Sequence, residues 1–145
     1  MQIRDVLEVK SADELFSIGP DANVAEAVAR MVERDIGSLA VMRGDTLVGF
    51  VTERDIVRGM HRVGVCLTDN RVSDLMEKEP LVVTLDDSVD YARDAMTKSH
   101  TSHLVVLDGN RVAGVISFHD LARACLKEAN FENALLKRYI KHWPE

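Results

Sequence analysis

The sequence predicts an α/β (α+β) fold made of two pseudo-symmetric β-α-β-β-α repeats packed sheet to sheet. Three observations carry this. A shift of 65 places lays Ile18 to Arg58 onto Val83 to Arg123 without a gap, and ten of those 41 positions are identical. The hydrophobic period changes in the same order in both copies, from helical to strand-like and back. With 145 residues, the chain is too short for two independent cores of ordinary size, so the halves are expected to share one.

Taken in chain order, Ile3-Arg4-Asp5-Val6-Leu7 echoes Val72-Ser73-Asp74-Leu75-Met76 at a spacing of 69. Each half therefore opens with a short helical lead, and the first half carries a four-residue insertion near Lys10 to Ser17. Leu15 to Ile18 and Leu81 to Val83 read as a first strand in each half. Val24, Ala27, Val28 and Met31 fall at i, i+3, i+4 and i+7, one face of a helix that Asn23 caps, with Glu26 completing a capping box. In the second copy Ser88 caps, and Val89, Ala92 and Met96 point inward. Leu39 to Met42, Arg43-Gly44-Asp45 and Leu47 to Val51 form strand, tight turn and strand, repeated as Leu104 to Leu107, Asp108-Gly109-Asn110 and Val112 to Ile116. A second helix follows from Asp55 and from Asp120, and Gly59 to Asn70 links the halves. Each unit is too small to bury its own helices and sheet, which is why the two pack together. The domain reading is a first repeat with its lead and linker at 1–70, a second repeat at 71–125 and a C-terminal helical extension at 126–145. From Leu126 through Ala129, Leu136, Tyr139 and Ile140 to Trp143, that extension carries more apolar residues than a solvated tail requires.

Composition narrows the function classes. Hydrophobic residues make up 46% and charged residues 29%, the profile of a globular domain. Apolar runs such as Ser38 to Met42 and Pro80 to Leu85 fall far short of the ~20 residues of a membrane span, and Arg4, Asp5, Glu8 and Lys10 interrupt any secretory leader. A cytoplasmic location is expected. A net charge of -6 argues against a phosphate-backbone partner, and Lys137, Arg138 and Lys141 read as a solvated helix face. Cys66 and Cys125, far apart, read as reduced thiols.

The chemistry concentrates in a motif that occurs twice, Gly-apolar-apolar-(Thr/Ser)-x-x-Asp: Gly49-Phe50-Val51-Thr52-Glu53-Arg54-Asp55 and Gly114-Val115-Ile116-Ser117-Phe118-His119-Asp120. Two readings stand. Thr or Ser followed three residues later by Asp is a capping box. The same geometry suits a nucleotide: a helix N-terminus attracts phosphate, the hydroxyl donates to it, and the carboxylate accepts from ribose hydroxyls. Gly49 and Gly114 would then allow close approach of the ligand.

The gapless repeat, the paired motif and the five-element order resemble the cystathionine-beta-synthase (CBS) domain family over roughly residues 3 to 125, and Thr-Glu-Arg-Asp-Ile at 52–56 resembles its stand-alone bacterial members. The resemblance implies a regulatory module, not an enzyme, that binds an adenine nucleotide (AMP, ADP, ATP or NAD) between its halves and modulates a partner protein not identified by the sequence. It also implies a homodimer. Carried over by position, one site combines Ser117 and Asp120 with Phe16, Ile36 and Gly37, and with His103 near the phosphates. The other combines Thr52 and Asp55 with Leu81, Thr101 and Ser102. Where family members often carry a basic pair before the second strand, this chain has Ser102-His103 and Gly37-Ser38, which weakens the case for polyphosphates. His103 reads either as a partner for an anion or as a polar residue at a strand entrance. Arg54 and His119, between the motif residues, face either ligand or solvent.

Catalytic and metal readings are weaker. Ser117, His119 and Asp120 sit on one helical turn and cannot line up as nucleophile, base and orienting acid. His100-x-x-His103 offers two metal ligands without a third. A second functional class is a homodimeric scaffold with vestigial nucleotide clefts, supported by the apolar C-terminal extension.

Overall fold

A computed structural model describes residues 1–9, 16–64 and 69–141. The elements are α1 (Ile3–Val9), β1 (Ser17–Ile18), α2 (Val24–Arg34), β2 (Ser38–Arg43), β3 (Thr46–Thr52), α3 (Glu53–Val63), α4 (Val72–Leu75), β4 (Val82–Thr84), α5 (Val89–Ser99), β5 (His103–Asp108), β6 (Arg111–Ser117) and α6 (Phe118–Lys141). Of the sequence expectations, Leu15, Cys66, Trp143 and most of the insertion at Lys10 to Ser17 lie outside the described residues.

The strands form two three-stranded sheets, ordered β1-β2-β3 and β4-β5-β6. In each, the first pair is parallel and the second antiparallel. The register of each hairpin shifts at an equivalent place, between Val41 and Met42 and between Val106 and Leu107. Gly44 (φ 61°) and Gly109 (φ 62°) supply the left-handed conformation each tight turn needs. Backbone geometry thus repeats as faithfully as the sequence.

Instead of one shared core, each half has its own. Ile18, Ala27, Met31, Leu39, Val41 and Ile56 make one cluster; Val83, Ala92, Met96, Leu104, Ile116 and Leu121 make the other. The reason is the two-residue period of a strand. Leu39 and Val41 point at their own helices, whereas Ala40 (0% exposed) between them points the other way. Val105 (0%) does the same between Leu104 and Val106. Their burial shows that each sheet's second face is covered by the other half. Phe50 (4% exposed) joins this central layer, its ring 6.2 Å from the His103 imidazole.

The lead helices are exchanged. Ile3 and Val6 of α1 belong to the second half's core, and Val72 and Leu75 of α4 belong to the first. Exchange gives each half a missing lid and ties the halves together more firmly than sheet contact alone. The tie also includes the Arg4–Asp86 ion pair (2.6 Å) and paired hydrogen bonds between the Phe50 and Glu77 backbones (2.9 and 2.7 Å).

Three local expectations fail, the first at Val28, which is 39% exposed and off the buried face that Val24, Ala27 and Met31 form. Asn23 makes no side-chain cap, because its backbone is drawn into a bridge with Arg71 and the Glu26 carboxylate bonds Arg30 instead (2.9 Å). Ser88 does cap, accepting from the Tyr91 N–H (3.0 Å). Gly59 is not the start of a linker: it is buried within α3, where a Cβ would lie 2.6 Å from a Leu75 methyl. A residue with no side chain lets α3 and α4 touch.

Candidate functional site

Both capping boxes form. The Asp55 N–H donates to the Thr52 hydroxyl (3.2 Å) and the Thr52 N–H donates to Asp55 Oδ2 (2.9 Å). In the second half the corresponding bonds join Asp120 N–H to the Ser117 hydroxyl (3.1 Å) and Ser117 N–H to Asp120 Oδ2 (2.9 Å). Each carboxylate is therefore held at the start of its helix, half-buried, where the positive helix end meets the space between the halves. The same bonds tie up the Ser117 hydroxyl and the Asp120 carboxylate, so these groups are not arranged as a nucleophile and its base.

The two spaces that gather expected site residues differ. Next to Asp120 lies a cleft of about 730 Å³. Its first-half wall is Phe16, Arg34, Asp35, Ile36, Gly37 and Ser38; its second-half wall includes Ser102, His103, Gly114, Ser117, His119, Asp120 and Arg123. Next to the other half lies a hollow of about 400 Å³ lined by Glu77, Glu79, Pro80, Leu81, Val82, Ser99 and Thr101. The structure thus gathers Ser117, Asp120, His103, Phe16, Ile36, Gly37 and Gly114 into one cleft. Of the second set, Leu81 and Thr101 line the hollow, whereas Thr52, Asp55 and Gly49 do not. Ser102 lines the larger cleft instead, because its carbonyl accepts from Phe118 N–H (2.8 Å) and so stays at the mouth of α6.

The first-half wall is built by chain turns. The Phe16 carbonyl accepts from Ala40 N–H (3.2 Å), which fixes Phe16 at the sheet edge, and the Leu81 carbonyl does the same with Val105 N–H (3.0 Å). Asp35, in the left-handed region (φ 53°, ψ 50°), ends α2 and turns Ile36 into the cleft. The Arg34 guanidinium lies over the Phe16 ring, 5.5 Å from its centroid. His103 stands at the start of β5, its Nδ1 3.1 Å from the Ser102 hydroxyl and its ring beside Phe50. It is both a strand-entrance residue and a cleft residue.

The motif glycines serve packing first. A Cβ at Gly49 would sit 2.5 Å from the Met76 sulfur and 3.0 Å from the Glu77 carbonyl; one at Gly114 would sit 3.1 Å from a Leu7 methyl. Leu7 and Met76 are equivalent lead residues, so each glycine makes room for the exchanged lead. Room for a ligand remains only at Gly114, which lines the cleft.

Sequence reasoning missed Arg34, Asp35, Arg123 and Leu7. Arg123 was visible as one of the identical pairs, with Arg58, one turn past Asp120. Arg34 and Leu7 had no signal, because they reach the cleft through a helix end and a lead exchange. Among the described residues the larger cleft carries Arg34 and Arg123 opposite Asp35 and Asp120, with the imidazoles of His103 and His119 beside them. Among the described residues the smaller hollow is lined by Glu77 and Glu79 and by no basic residue. Arg54 donates to the His100 carbonyl (3.2 Å), joining the halves, while the equivalent His119 lines the larger cleft. Among the described residues no group of His, Cys, Asp or Glu is arranged to hold a metal, His100 and His103 included.

Known proteins share this arrangement. The CBS domain family model matches twice, at 3–62 and 72–127. An uncharacterised 17.7 kDa protein of Acidianus ambivalens is 35% identical over 115 residues, covering 78% of this chain and 68% of that one. An arabinose 5-phosphate isomerase of Francisella tularensis is 24% identical over 120 residues, but these make up 82% of this chain and only 36% of the isomerase. The crystal structure of the CBS domain protein NE2398 superposes with a TM-score of 0.82 at 29% identity, over 87% of this chain and 98% of that one. The structure of CBSX2 in complex with AMP superposes with a TM-score of 0.73 at 23% identity, over 88% and 98%. A gapless duplication, two boxes at equivalent helix starts and two family matches lead to one conclusion: this chain belongs to the CBS domain family and is a tandem pair of its domains.

Proposed function

We propose that the chain is a regulatory module that binds one adenine nucleotide in the cleft beside Asp120 and passes the occupancy to a partner protein. The carrying observation is the cleft of about 730 Å³ that joins an aromatic and aliphatic wall from one half to a capped helix start from the other. Phe16 and Ile36 would flank the base, Asp120 would accept from the ribose, and Ser117, His103 and Arg123 would meet the phosphate. That CBSX2 was crystallised with AMP supports the choice of ligand class. Arg34 and Arg123, with the imidazoles of His103 and His119 as further hydrogen-bonding groups, favour a ligand that carries phosphate over a neutral nucleoside. No catalytic step belongs to this reading. It places the module in the cytoplasm and in a homodimer; among the described residues no helix is long and apolar enough to cross a membrane.

The test is a thermal-shift and calorimetric panel of AMP, ADP, ATP, NAD and S-adenosylmethionine. Ligand at about 100 times its dissociation constant stabilises the fold by about 2.7 kcal/mol. The expected result is stabilisation that Asp120→Ala largely removes and Asp55→Ala retains. Stabilisation that survives in the double variant would place the ligand elsewhere. If no adenine compound acts at millimolar concentration, the scaffold reading replaces this one; the exposed apolar residues of α6 are the observation in its favour.

A further inference from the structure

Helix α6 outgrows the domain it belongs to. Leu121 (1% exposed) and Ala124 (4%) are in the second core and Cys125 packs against it. From Leu126 onward every side chain described is exposed, yet Leu126 (62%), Phe131 (64%), Leu136 (57%) and Ile140 (71%) are large and apolar. Most helical stability in proteins comes from packing an apolar face, and among the described residues this stretch has none packed within the chain.

Spacing identifies the occupant. Leu126, Asn133 and Ile140 recur every seven residues, and Ala129 and Leu136 follow the first two by three, which is the a and d pattern of a coiled coil. At 100° per residue this stripe lies roughly 120° round the helix from Leu121 and Ala124, so the chain's own core does not obstruct it. A lone Asn at an a position fixes register and favours two strands, since a shifted partner would leave its amide against an aliphatic side chain. The flanking charges agree. In a parallel pair, Glu132 at g of one helix faces Lys137 at e of the next heptad on the other.

We propose that residues 126–140 of α6 pair in parallel and in register with the same segment of a second copy of this chain. The inference rests on the homodimer proposed above and names its seam. Two heptads are too short to hold two copies alone, so the seam adds to contact elsewhere and sets how the two clefts are oriented. Phe131 and Leu135, on the side that continues the core face, are not in it.

The experiment uses full-length chains carrying one added cysteine, oxidised and analysed by peptide mass mapping so that Cys66 and Cys125 are distinguished. In a parallel pair Ile140→Cys links to its own copy, as does Leu126→Cys, while Arg138→Cys on the outer face does not. In an antiparallel pair neither variant would link to its own copy, the two positions lying about 21 Å apart along one helix, and a mixture of Leu126→Cys and Ile140→Cys chains would link 126 to 140. In a second arm, Leu136→Glu with Ile140→Glu raises the dimer dissociation constant by about tenfold or more, because each buried aliphatic side chain is worth more than the ~1.4 kcal/mol of a tenfold change. Phe131→Glu leaves it unchanged. If the wild-type chain sediments as a dimer but the cysteine variants link at neither 126 nor 140, or their mixture links 126 to 140, the seam is overturned and the homodimer stands. A wild-type chain that is monomeric at all concentrations overturns both.

Discussion

The two clefts of this molecule descend from one duplicated unit and have diverged in their walls, not in their frames. Both boxes close with the same bonds to within about a tenth of an ångström. Around them, Phe16 corresponds to Leu81, Ile36 to Thr101, Phe118 to Glu53 and His119 to Arg54. One side has Arg34, Arg123 and two histidines around an open volume; the other is lined by Glu77 and Glu79. A capping box is therefore a scaffold that both halves keep for stability. Whether it also serves a ligand depends on what the opposite half presents to it.

The largest consequence concerns Asp120 and Asp55. At ligand about 100 times above its dissociation constant, Asp120→Ala should remove most of the ~2.7 kcal/mol of ligand stabilisation, whereas Asp55→Ala should keep it, as read from the melting temperature with and without AMP. Equal losses from the two would end the distinction between the clefts.

Next come the motif glycines. Gly49→Ala should destabilise the fold by about 1–3 kcal/mol in urea titration, because Met76 and the Glu77 carbonyl fill the space its methyl needs. Gly114→Ala should cost less, about 1 kcal/mol or below, since only a Leu7 methyl at 3.1 Å must give way. The reverse order would mean that the lead exchange is not what these glycines accommodate.

Removing the hydroxyls should cost the two halves about equally. Thr52→Ala and Ser117→Ala each lose a cap worth ~1 kcal/mol, but only Ser117→Ala should also weaken nucleotide binding in calorimetry. The smallest effect is expected at Arg54. Its single exposed bond to the His100 carbonyl is worth well under 1 kcal/mol, so Arg54→Ala should leave stability nearly unchanged. Nucleotide stoichiometry should also stay at one per chain. A second binding event in that variant would end the reading of one occupied cleft per chain.

Much of this was legible in the amino-acid order. Strand, turn and helix positions followed from period and turn chemistry, which act over a few residues, and the offset of 65 carried each assignment to its twin. The Ser117 and Asp120 pair, Phe16, Ile36, Gly37 and His103 were legible as members of one cleft through family resemblance. What misled was local reasoning about groups whose partners are distant. Asn23 has the composition of a cap but is held by Arg71, and Gly59 looks like a break but is a helical contact with Leu75.

Sequence alone settled the duplication, the five-element order of each half and the two boxes, because these depend on neighbours a few positions apart. It did not determine the exchange of the lead helices, the split into two cores with a buried layer between them, or the inequality of the clefts. Each of those depends on which side chains meet across the pseudo-two-fold, as Leu7 meets Gly114 and Arg54 meets His100. Two halves with nearly the same local code can present different walls to each other, and only folding brings those walls face to face.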